Sequence, residues 1–149
     1  MNRFWKIVIG IIVIFIGGFL VLQIVPYGRN HTNPPVVQEI NWDSPQTKEL
    51  AQRACYACHS NQTDWSPWYA SIAPASWLVQ HDVEEGRQRL NFSEWNRNFE
   101  AKREPQEVGN IVLGGEMPPA QFLLMHPEAR LTDAEKQQLA QGIVTSLQQ

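Results

Sequence analysis

The chain has 149 residues, with twelve Lys and Arg against fifteen Asp and Glu, for a formal charge of −3. That length suggests one domain plus extras, and the acidic balance speaks against nucleic acid as a partner. Two cysteines are too few for a disulfide framework, whereas six Trp and ten Pro are many for a chain of this size.

The first 26 residues form a separate object. "MNRFWK" carries Arg3 and Lys6, and an apolar run then extends from Ile7 to Val25 with Gln23 as its only strongly polar member. Nineteen residues at 1.5 Å rise span roughly 28 Å of helix, close to the hydrocarbon thickness of a bilayer. Pro26 and Gly28 stop the run. A cleaved signal peptide has a shorter apolar core and an A-x-A-like site after it. No such site precedes Arg29, so residues 1–26 are expected to be an uncleaved signal-anchor helix. Arg3 and Lys6 place its N-terminus on the cytoplasmic side and the rest of the chain outside the cytoplasm, the periplasm in a bacterium. No lipobox-like cysteine precedes the domain, so no lipid anchor is expected.

Residues 27–43, with Pro34-Pro35 and no helical period, read as an extended linker. Beyond residue 30 the chain holds nine basic and fifteen acidic residues, a formal charge of −6. That balance favours a basic docking partner over an anionic surface. Three N-x-[ST] triplets, at Asn30, Asn61 and Asn91, are too short a pattern to carry an assignment.

Four helices are predicted in residues 44–149. Ser44 caps the first, with Pro45 at its first position, and it runs into Cys55. The second opens at Pro74 and carries Trp77, Leu78 and His81 at helical spacing. Pro105 starts the third, with Val108, Ile111 and Val112 as its stripe, and Gly114-Gly115 end it. Thr132 and Glu135 form a capping box for the fourth, which places Leu139, Ala140, Ile143, Val144 and Leu147 on one face. No strand-like alternation stands out, so the fold class is all-α. A domain of this size buries roughly two thirds of its unfolded surface. Its apolar stripes are thin, and a large apolar cofactor would make up the shortage.

The two cysteines stand in "CYACHSN", as Cys55-x-x-Cys58-His59. A thioredoxin-like redox motif would sit beside a βαβ pattern, and none is present. A zinc site needs four ligands. Here there are three, two of them adjacent, and His31, His81 and His126 show no paired ligand spacing. The remaining reading is covalent attachment of c-type haem, for which C-x-x-C-H is the signature. Each thiol adds across one vinyl group to give a thioether, and the adjacent His59 is held under the iron.

The preferred sixth ligand is Met117 in "GGEMPPAQ". Pro118 takes Met117 out of helical geometry, and Pro118-Pro119 stiffen the segment that presents it. Met125, in an apolar run, reads as core. His81 and His126 are the other candidate ligands. His81 lies on a charge-rich helix and suits a surface role, while Pro127 fixes the backbone of His126.

"CYACHS", then "EMPP", then a capped C-terminal helix, looks like a small cytochrome c domain. The longer string "CYACHSNQTDW…PWYASIAPASWLVQHDVEEGRQRLNFSEW…GEMPP…LMHPEARLTDAEK" resembles the bacterial haem-binding domain family related to cytochrome c, over most of residues 42–147. The resemblance implies a small cytochrome c-like helical domain around one covalently attached haem. It implies Cys55 and Cys58 as thioether partners, His59 as proximal ligand and Met117 as distal ligand. It names no substrate or partner. The stretch 67–95 is unlike a generic cytochrome c, and Trp65, Trp68, Trp77 and Trp95 would wall a haem pocket.

The expected function is that of a membrane-anchored monohaem electron carrier with a redox partner protein. A Met/His pair fills both axial positions and lies on the high-potential side of a range of about 0.8 V. Two alternatives need an open distal face: a haem-based sensor, and a small peroxidase-like enzyme with His81 or His126 as its polar group.

Overall fold

A computed structural model describes residues 2–95 and 104–148. Among these the protein is all-α. The helices are α1 (Arg3–Leu22), α2 (Pro45–Ala54), α3 (Tyr56–His59), α4 (Ala75–Arg89), α5 (Pro105–Leu113), α6 (Ala120–Met125) and α7 (Asp133–Leu147). Single 3-10 turns occur at Trp68–Ser71 and Pro127–Ala129. The four predicted helices correspond to α2, α4, α5 and α7. The chain divides into two units, residues 1–32 with 65–82, and residues 33–64 with 83–149.

In the first unit, Asn2 caps α1 by accepting the Trp5 amide at 3.2 Å. No residue of α1 is buried, and the helix is long and apolar enough to cross a membrane. Ala70, Ala73 and Ser76 are the buried positions of residues 65–82.

The second unit holds a core of Ile40, Leu50, Ala51, Tyr56, Phe92, Val112, Leu139, Ala140 and Ile143. Phe92, Leu139 and Ile143 are fully buried, each burial worth roughly 1.5–3 kcal/mol. The caps are formed as the sequence dictates. Ser44 Oγ accepts the Thr47 amide at 3.2 Å. At α7, Thr132 and Glu135 satisfy each other's backbone N–H groups. The Glu135 carboxylate also accepts Arg53 from α2 at 2.5 Å, tying α2 to α7.

The stretch 27–43 contains no helix. Its second half contributes Ile40 to the core, and the Ile40 amide donates to the Phe92 carbonyl at 3.0 Å. Glu39 accepts Lys48 at 2.8 Å and the Tyr56 hydroxyl at 2.6 Å. Met125, expected in the core, is instead 49% exposed at the end of α6. The reason is local: Pro118-Pro119 before it and Pro127 after it confine α6 to a single short turn and a half, which buries none of its residues.

Candidate haem-binding site

Cys55 ends α2 and opens α3, with φ −124° and ψ −32° breaking the helix between them. Its carbonyl accepts both the Cys58 amide at 3.1 Å and the His59 amide at 2.9 Å. One tight turn therefore carries both thiols and the imidazole. Side chains three apart on such a turn are neighbours, about 5–6 Å between Cβ atoms. Neither cysteine is in a disulfide, and both are partly buried. Burial, reinforced by Cys58, pushes the Cys55 thiol up to about 12, so it is held protonated at neutral pH.

The His59 ring is fixed from outside its own helix. Its Nδ1 lies 3.0 Å from the carbonyl of Leu90. A carbonyl only accepts, so Nδ1 carries the hydrogen and Nε2 keeps its lone pair. Burial lowers the ring's pKa against the opposing pull of the Leu90 and Gly86 carbonyls, which keeps the imidazole neutral. A neutral ring with a bound Nδ1–H, its lone pair on Nε2, is the form in which histidine serves as a metal ligand.

The backbone around this turn is pinned on every side. The Phe92 amide donates to the His59 carbonyl at 2.8 Å. Arg87 donates Nε to the Ser60 carbonyl at 2.8 Å and a terminal nitrogen to Thr63 Oγ1 at 3.0 Å. Thr63 Oγ1 in turn donates to the Ala57 carbonyl at 2.7 Å. Asn61 is buried, its amide nitrogen donating to the Pro35 carbonyl and to Glu94, which leaves that triplet no exposed acceptor for a glycan.

α4 approaches the site at Gly86. A Cβ there would stand 2.5 Å from the Cys58 carbonyl oxygen and 2.9 Å from its carbon. Sequence reading passed over Gly86, Arg87 and the Leu90 carbonyl. Gly86 did carry a signal: a glycine inside a helix costs about 1 kcal/mol relative to alanine, so its presence marks a close approach.

Met117 lies between α5 and α6 and is 38% exposed. Leu113, Leu124 and Met125 around it in sequence are 48%, 75% and 49% exposed. The structure thus brings Cys55, Cys58 and His59 together on one turn and holds Met117 on a separate segment rich in uncovered apolar side chains. His126 is engaged elsewhere, its Nδ1 bonded to Glu128 at 2.7 Å and its ring stacked on Phe122 at 4.2 Å. His81 is exposed on α4. Of the tryptophans expected to wall a pocket, Trp95 packs against the core of the second unit, Trp65 stacks on His31 in the first, and Trp68 is 70% exposed.

Among the described residues no three His, Cys, Asp or Glu side chains converge to hold a metal ion by themselves. Two thiols stand beside a neutral imidazole on the 55–59 turn. The family model described as Haem-binding domain matches residues 17–145. The chain belongs to the haem-binding domain family. It is a haem-binding protein, and the match takes in the C-x-x-C-H turn, Gly86, Leu90 and Met117 together. No curated protein and no solved structure matches it.

Proposed function

We propose that this haem-binding domain protein is a membrane-anchored, monohaem c-type cytochrome that transfers electrons outside the cytoplasm. In this reading Cys55 and Cys58 would hold haem c through thioethers, and His59 Nε2 and Met117 Sδ would bind its iron. The observation that carries it is the His59 Nδ1–H bond to the Leu90 carbonyl within a C-x-x-C-H turn. It leaves one nitrogen, and only one, for iron. When bound, the haem supplies one-electron exchange.

The chain's own residues do the rest. Leu90 fixes the tautomer and plane of His59. Arg87 and Phe92 hold the backbone on either side of it. Met117 offers a soft thioether from the segment between α5 and α6, and Leu113, Leu124 and Met125 supply apolar cover that excludes water. With His59 and Met117 both on the iron there would be no place for a substrate, which favours a carrier over an enzyme. The formal charge of −6 beyond residue 30 suits a redox partner with a basic docking face. α1 anchors the domain, with Arg3 and Lys6 on the cytoplasmic side.

The test is spectroscopic. Oxidised wild-type protein should show the weak long-wavelength charge-transfer band of methionine sulfur on ferric haem, and the reduced protein should resist carbon monoxide. Met117→Ala should remove the band, lower the potential and admit carbon monoxide. His81→Ala and His126→Ala should leave the band in place. Wild-type protein that lacks the band and binds carbon monoxide would favour a sensor or a peroxidase-like enzyme instead.

A further inference from the structure

The apolar run at the N-terminus does not end with α1. Ile24 and Val25 follow it, 77% and 42% exposed. Gln23 is therefore a polar side chain inside an apolar stretch, and at membrane depth an unpartnered amide is costly. The structure partners it completely. Gln23 Nε2 donates to the Ala73 carbonyl at 2.9 Å, and the Ala73 amide donates back to Gln23 Oε1 at 3.1 Å. This two-way bond ties residue 73 to the end of α1.

A second tie lies close by. His31 Nε2 stands 3.0 Å from the Gly28 carbonyl and 2.8 Å from that of Ala70. The His31 ring stacks on Trp65 at 4.7 Å with an interplanar angle of 3°. Gly28 has a φ of +76°, and a Cβ there would collide with the Ser76 carbonyl. Arg29 donates to the Gln23 carbonyl at the end of α1. The segment 65–76 is thus bonded at several points to the first turns of chain beyond α1, within one compact unit.

That segment presents apolar side chains to solvent. Trp68 is 70% exposed and Ile72 37%, and Tyr27, just beyond α1, is 40% exposed. Indole and phenol rings favour the boundary between hydrocarbon and water, where one end is apolar and the other wet. We propose that residues 68–73 form an interfacial collar, with Trp68 and Ile72 seated in the headgroup and upper acyl layer of the same membrane that α1 crosses. The inference rests on the anchor reading above and extends it. The anchor is not a helix on a free tether: it carries a second lipid contact from a segment more than 40 residues later in the chain, and so holds this unit at the bilayer surface.

The experiment uses the full-length, haem-loaded protein in vesicles of phosphatidylcholine and phosphatidylglycerol that contain a lipid with a photoactivatable diazirine on its acyl chain. After irradiation and digestion, lipid adducts are mapped by mass spectrometry. Adducts are expected within residues 4–25 and also at Trp68 and Ile72, the latter in a yield on the order of tenfold above that on the exposed face of α7. Adducts confined to residues 4–25 would overturn the collar and leave the anchor standing. Adducts absent from residues 4–25 would overturn both.

Discussion

The two regions proposed to grip the haem are built in opposite ways. On the proximal side, residues 55–63 and 86–93 form a closed set of hydrogen bonds in which the His59 ring, the Ser60 carbonyl and the Asn61 amide all have partners. On the distal side, residues 113–125 leave Leu113, Met117, Leu124 and Met125 substantially exposed. The difference teaches that the polypeptide alone preorganises the attachment turn, whereas the distal segment has apolar surface still to bury. The proposed haem would cover that surface.

The largest effect expected is on attachment. Cys55→Ala together with Cys58→Ala should abolish covalent haem entirely, so that acidified organic solvent extracts all the pigment from denatured protein. Next comes the proximal backbone. Gly86→Ala forces a methyl against the Cys58 carbonyl and should destabilise even haem-free protein by about 1–3 kcal/mol, the range for overpacking, as read by urea unfolding. A neutral result there would break the claim that the proximal side is rigid without haem.

The distal side should behave in the opposite sense. Leu124→Ser, at a side chain 75% exposed, should change the stability of haem-free protein by no more than about 0.5 kcal/mol. In haem-loaded protein the same substitution should lower the unfolding midpoint measurably. Equal effects in both forms would mean that Leu124 is ordinary surface and that the distal segment is not completed by haem.

The smallest effect lies away from both regions. The Thr132 amide, Arg53 and the Thr132 hydroxyl hold the Glu135 carboxyl down at about 2, against an ordinary value of 4.5. A depressed carboxylate stabilises the fold above its unfolded value, and that contribution is lost as pH falls through the folded one. Stability should therefore decline between about pH 4.5 and 2, and Glu135→Gln should flatten the decline in acid-unfolding curves.

Much of this was legible in the sequence because it is local. Ser44-Pro45 and Thr132 with Glu135 announce their helices within four residues, and the C-x-x-C-H turn is contained within five. What was not legible depends on distance along the chain. The partner of His59 is a backbone carbonyl 31 residues later, and no side chain marks it. α6 escaped notice because six residues between Pro118-Pro119 and Pro127 carry no readable period. Ile40 reads as part of an irregular stretch, yet it docks into the core through the Phe92 carbonyl. Met125 reads as core from its neighbours in sequence, but exposure is decided in three dimensions. Gly86 was readable in principle, since a mid-helix glycine has a cost that close packing must explain.

The central claim, covalent haem at the 55–59 turn, is tested most directly by mass spectrometry of a tryptic digest. Arg53 and Arg87 bound a peptide, residues 54–87, with no internal Lys or Arg and with both cysteines of the chain. After full denaturation and digestion that peptide should carry the added mass of one haem and offer no thiol to an alkylating reagent. A haem-free peptide 54–87 that takes up two alkyl groups, recovered from protein purified with its pigment, would contradict the account.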